Sequence, residues 1–206
     1  MKNESFMTNF FKAVLAGLTI AIGGITFLAI DNSFVGSVMF SFGLLTILYK
    51  GWNLYTGKVG YATKLGLVPP LLITLLGNLV GLTIGAVIYR ATGIKLDRLT
   101  AMCEKKFNNE WWKILLLAIM CGVMMYLAVS LFKSTKNPLM VIMPISIFIV
   151  CGFEHSMASY FFLLSYLGTN LNVKFFAYIG IMIVGNAIGS LAFAGLEALT
   201  KDKTKE

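Results

Sequence analysis

Histidine is almost absent from this sequence: His155 is the only one in 206 residues. One imidazole cannot build a histidine-rich metal site, and no other metal-ligand cluster is visible, so no metal or cofactor is expected. Cysteine is scarce too. Cys103, Cys121 and Cys151 are odd in number and widely spaced, and two of them lie in apolar runs, which excludes a disulfide framework. No nucleophile turn of the GxSG type occurs, and Ser156 directly follows His155, where helical neighbours do not face one another; a hydrolase is excluded. Paired Asn-Pro-Ala caps, expected of a water or polyol channel, are also missing. Charge is the last scarcity: 13% of residues are charged and 58% are hydrophobic, more apolar surface than a soluble domain of this length can hide. The net charge of +8 then belongs to loops and tails at a membrane surface, not to a nucleic-acid partner.

What is present is a set of six apolar stretches, near 9–30, 34–57, 67–89, 112–132, 138–168 and 174–198. Each approaches the ~20 residues that a helix needs to cross a bilayer. The reading is an all-α, multi-pass membrane protein of six transmembrane helices. The first run is too long for a signal-peptide core and no A-x-A site follows it, so it is expected to remain as the first span.

Two spans carry polar residues where lipid-facing helix should continue. The second contains Lys50, Gly51, Asn53, Thr56 and Gly57; the fifth contains Gly152, Glu154, His155, Ser156 and Ser159. Both read as helices broken partway across, which is tolerated only where protein encloses the break or a cavity lies beside it. An internal repeat supports this. Ala13 to Gly17, then Gly51-Trp52-Asn53, then Gly77-Asn78-Leu79-Val80-Gly81 match Ala118 to Gly122, Gly152-Phe153-Glu154 and Gly185-Asn186-Ala187-Ile188-Gly189 in order. The units are 1–91 and 112–198, with a cytoplasmic tail at 199–206, all within one channel domain. Three spans per unit turn the second copy upside down, and broken helices at matching positions of such a repeat point to a transport site near the midplane. The glycines four apart serve close helix packing, which leaves Asn78 and Asn186 to bind the freed backbone of the breaks.

An acid and an imidazole at membrane depth mark a conduction path by default. A group titrating near neutral pH suits proton exchange with a passing solute. Loop charges favour both termini in the cytoplasm: Lys2, Lys12, Lys58, Lys64, Lys133, Lys136, Lys201, Lys203 and Lys205 face Arg90, Lys95, Arg98, Lys105, Lys106, Lys113 and Lys174. The basic stretch 90–113 reads equally as a cation cluster that gathers anions at a pore mouth or as a solvated amphipathic connector.

Phe40-Ser41-Phe42-Gly43-Leu44 leading to Leu54-Tyr55-Thr56-Gly57, Gly152 to Ser156, and the paired Gly-Asn motifs resemble the formate/nitrite transporter family, which includes hydrosulfide channels. The resemblance covers nearly the whole chain. It implies aquaporin-like protomers in the inner membrane, assembled as a homopentamer with one pore each for small anions of weak acids. By the same resemblance, 50–57 is the family's Ω-loop with Thr56 at its functional threonine, His155 is the central histidine, and Glu154 is the acid before it. Lys106 stands at the lysine that draws anions, and Phe40, Leu44, Leu54 and Phe148 fall at two apolar constrictions. The chain departs from the family pattern with Gly122 and Ser159 in place of asparagines, and with Trp52-Asn53 in place of a small-then-acidic pair. A neutral-solute channel of similar architecture is the competing expectation.

Overall fold

The computed structural model describes residues 5–94 and 97–200. Lys2, Lys95, Lys201, Lys203 and Lys205, along with residues 201–206 of the expected tail, lie outside the described residues. The described residues form α-helices and no strand. In chain order these are α1 (Phe6–Leu28), α2 (Ser33–Lys50), α3 (Tyr55–Lys58), α4 (Val68–Ala91), α5 (Asp97–Phe107), α6 (Trp111–Thr135), α7 (Leu139–Val150), α8 (Ser156–Leu167) and α9 (Val173–Leu199). Five helical segments, α1, α2, α6, α9 and Leu65–Ala91 around α4, are long and apolar enough to cross a membrane. The stretch expected as the fifth span is two shorter apolar helices, α7 and α8. The chain is a multi-pass membrane protein.

Local sequence sets the helix ends. Ser5 and Asn32 cap α1 and α2 by accepting backbone N–H groups at their starts, and Asn172 does the same for α9. Pro69 and Pro70 sit in the first turn of α4, where a missing N–H costs nothing. The two interruptions are built alike. At the end of α2, Gly51 takes the left-handed conformation (φ 65°) and Trp52 N–H bonds back to Ile47 O at 2.9 Å. After α7, Gly152 does the same (φ 71°) and Phe153 N–H bonds Phe148 O at 2.8 Å. Glycine tolerates this conformation and the back-bond satisfies a terminal carbonyl, so each helix stops there.

The chain then runs extended through Leu54 and through His155 before α3 and α8 begin. Buried peptide groups in these stretches need partners, and two asparagines supply them identically. Asn78 donates to Asn53 O and Ala13 O and accepts from Tyr55 N–H, all at 2.8 Å. Asn186 donates to Glu154 O and Ala118 O at 2.8 Å and accepts from Ser156 N–H at 2.9 Å. The helix pairs match as well. A side chain at Gly77 would set its Cβ 2.6 Å from Ala13 Cβ, and one at Gly185 would set its Cβ 2.6 Å from Ala118 Cβ. The small residues bring α1 against α4 and α6 against α9 at near-backbone contact. Residues 53 to 55 therefore stand in the first half as residues 154 to 156 do in the second.

The connection 90–113 holds a helix that the apolar pattern gave no sign of. In α5, Leu99 and Cys103 are buried, and Cys103 Sγ lies 3.5 Å from Phe162 O on α8. Cations in and around α5 are engaged at helix ends. Arg98 donates to Phe27 O and Ile30 O at the end of α1 and lies 4.0 Å over the Phe27 ring. Arg90 donates to Ser165 O near the end of α8 at 2.7 Å, and Lys174 to Phe107 O at the end of α5. Cations at helix C-termini complement the dipole and satisfy terminal carbonyls. Arg90, Arg98 and Lys174 thus tie helix ends together, while Arg98, Lys105 and Lys106 also border a cavity beside Glu154, so the basic stretch 90–113 serves in part as connector and in part as a cation cluster.

Candidate functional site

The breaks meet at one contact. Thr56 Oγ1 and His155 Nε2 are 2.9 Å apart, both buried. The tautomer follows from the other ring nitrogen. His155 is the N-cap of α8, and its Nδ1 accepts the N–H of Ala158 at 3.1 Å. Nδ1 therefore carries a lone pair, and a neutral ring must bear its proton on Nε2, which donates to Thr56. The Thr56 hydroxyl, accepting that bond, keeps its own proton to offer elsewhere. A proton on Nδ1 would set N–H against N–H and remove the cap.

Aromatic rings flank one side of this centre. Phe148 stacks on His155 with centroids 5.6 Å apart and 15° between planes, and Phe40 meets Phe148 edge-on at 6.3 Å. Beyond them opens a cavity of about 540 Å³ that reaches His155, Glu154, Lys105 and Lys106. On the other side Leu44 and Leu54 are buried and face a second cavity of about 480 Å³ ringed by Lys58, Lys133 and Lys136. The two share no lining residue: Phe40 and Phe148 line the first, and Leu44 and Leu54 line the second. Thr56, Asn78 and Asn186 line neither cavity; both asparagines are wholly buried and hold the backbone that carries the centre.

Lys106, not its neighbour Lys105, turns inward. Its Nζ lies 2.5 Å from Glu154 Oε2 and 3.3 Å from Ser159 Oγ, and Ser159 donates to the same carboxylate oxygen at 2.8 Å. Burying one of these charges alone costs several kcal/mol, which the pair and the hydroxyl offset. Serine at 159 is thus a working partner. In the second cavity, Lys133 Nζ sits 3.4 Å over the Tyr61 ring. Asn9, which the sequence reading passed over, donates to Pro70 O at 2.8 Å and accepts from Asn53 Nδ2 at 2.6 Å. A single buried amide early in an apolar run was the only available signal.

The cysteines report on the first cavity. Cys151 is exposed and lines it, while Cys103 and Cys121 are buried. Burial pushes the Cys103 thiol up to about 12, so it stays protonated and unreactive at ordinary pH. A membrane-impermeant anionic thiosulfonate is expected to label Cys151 alone and to slow anion flux, and Cys151→Ser should abolish both effects. Mass spectrometry of the labelled protein checks the first outcome and flux the second.

A family model described as Formate/nitrite transporter matches residues 1–199. Formate channel FocA of Haemophilus influenzae is 27% identical over 188 residues, covering 77% of this chain and 66% of that relative. An uncharacterized transporter of Bacillus subtilis, YrhG, is 27% identical over 193 residues, covering 80% and 70%. The chain spans about two thirds of the length of these curated relatives. Among solved structures, one described as a pentameric formate channel with formate bound aligns at a TM-score of 0.75 and 22% identity, covering 94% of each chain. Another, an ion channel of the same family, aligns at 0.75 over 94% of this chain and 88% of its own. These likenesses give the fold.

Proposed function

Because the chain belongs to the formate/nitrite transporter family, we propose that it conducts small monovalent anions of weak acids, with formate, nitrite and hydrosulfide as candidates, across the cell inner membrane. The observation that carries this reading is the buried, hydrogen-bonded Thr56–His155 pair, with Phe40, Phe148 and a lysine-lined cavity at His155 and Leu44 and Leu54 on a second lysine-lined cavity. An anion entering either ring sheds water with nothing to replace it, at an idealised cost of order 20 kcal/mol and several kcal/mol after relaxation. A neutral acid avoids most of that. The solute is drawn as the anion to a basic mouth, takes a proton from the water of that cavity, and crosses as HA. There His155 Nε2–H and the Thr56 hydroxyl are the donors available to its oxygen or sulfur. Lys106 and Glu154 form a nearly neutral pair, so Lys105 and Arg98, which line the same cavity, add the net positive charge at that mouth.

In the same reading the halves 1–91 and 112–198 form an inverted 3+3 repeat. Both termini face the cytoplasm on the Lys133 side, and the protein assembles as a homopentamer with one pore per protomer. The matched bonds of Asn78 and Asn186 support the repeat, and the pentameric formate channel of like fold supports the assembly. Proteoliposomes holding the purified chain test the function in a flux panel of formate, nitrite, hydrosulfide, acetate, lactate and glycerol. Flux is expected for one or more of the first three and to fall with solute size. Glycerol flux without anion flux would instead establish the neutral-solute channel.

A further inference from the structure

The two breaks are held at their backbones by matching asparagines, but their side chains are anchored differently. In the second half the side chain of Glu154, one residue before His155, is tied to α5 through Lys106. In the first half the corresponding side chain is Asn53, one residue before Leu54, and its Nδ2 is tied to Asn9 Oδ1 on α1 at 2.6 Å. Asn9 Oδ1 lies 2.9 Å from Thr74 Oγ1, and Asn9 Nδ2 reaches Pro70 O, so one amide joins the start of α1, the start of α4 and the loop. Asn9 and Asn53 are almost fully buried, where amides are retained only with partners. Neither bears charge, and neither lines the Lys133 cavity, to which this loop contributes Gly51, Trp52 and Leu54.

We infer that Asn9 and Asn53 act as a latch that sets the width of the Leu44/Leu54 constriction, making them positioning residues for solute selectivity. This rests on the transport reading above. Asn78 fixes the peptide groups at 53 and 55; the Asn9 bond ties the side chain that precedes Leu54 to α1. Sites that discriminate by size must hold their walls to about 0.5 Å. Loss of this anchor to α1 loosens the loop at residue 53 and lets Leu54 shift towards the cavity that it lines, which widens the ring without removing any side chain from it.

The test uses the full chain in proteoliposomes and reads the ratio of lactate to formate initial rates, with the melting temperature of each variant in detergent. Asn9→Ala and Asn53→Ala are each expected to raise that ratio by about tenfold, the discrimination that one or two carbon atoms give in a close-fitting apolar pocket. Formate KM should change little. Because both substitutions break the same bond and Asn9→Ala also removes the contacts to Pro70 and Thr74, the double variant should raise the ratio no further than Asn9→Ala alone. A wild-type ratio in a folded single variant overturns the latch, as does a purely additive double variant or a loss of melting temperature with the ratio unchanged. If one variant fails to fold, the other decides. Absence of anion flux in the wild-type protein would instead overturn the transport reading itself.

Discussion

His155→Phe is expected to cut anion flux by about 10- to 100-fold, the rate equivalent of the roughly 1–3 kcal/mol attached to a buried polar group deprived of its partner. Phenylalanine preserves the ring and its stack on Phe148. It removes three functions together: the donor to Thr56, the cap on Ala158 N–H, and the donor available to a solute. His155→Asn separates them. Asparagine is among the best N-cap residues, so its Oδ1 can take the Ala158 N–H while its amide reaches towards Thr56. The Asn variant should therefore fold and conduct, but with an altered pH profile or anion selectivity, because the amide does not titrate. Initial rates for formate, nitrite and hydrosulfide over a range of pH decide the matter. Wild-type rates and profiles in both variants would reduce His155 to packing.

The second large effect is on folding. Asn186→Leu is expected to abolish a folded, monodisperse protein in detergent, and Asn78→Leu should do the same. Each substitution is near-isosteric but strips partners from Ser156 N–H and Glu154 O, or from Tyr55 N–H and Asn53 O. With ~1–3 kcal/mol for each unsatisfied buried group, the loss is comparable with the whole stability margin of many domains. Size-exclusion chromatography and thermal melting provide the measurement. A folded Asn186→Leu protein with a wild-type melting temperature would show that the interrupted backbone finds its partners elsewhere.

How much was legible in the sequence varied with the kind of force involved. The breaks at 51–55 and 151–155 were visible because a polar, glycine-containing stretch in an apolar span has few physical outcomes. The paired asparagines were visible because the Gly-Asn motif recurs in the third span of each half. Helix α5 was not: its apolar residues are few, and it exists because Leu99 and Cys103 pack on the bundle while Arg98 and Lys174 pin its two ends. Asn9 was not, because an amide reveals its worth only when a residue 44 positions later arrives beside it.

The sequence by itself determined that the chain is an all-helical membrane protein with two interrupted spans, a repeated asparagine motif and one titratable ring at depth. Those features depend on local composition and on the lack of water inside a bilayer, which the order of residues alone expresses. Only the tertiary structure decided which groups meet: Thr56 with His155 across 99 positions, Lys106 rather than Lys105 with Glu154, and Arg90, Arg98 and Lys174 with helix ends. Hydrogen bonds and ion pairs act over a few ångströms and depend on direction, so their partners are settled by the packing of helices that lie far apart in the chain.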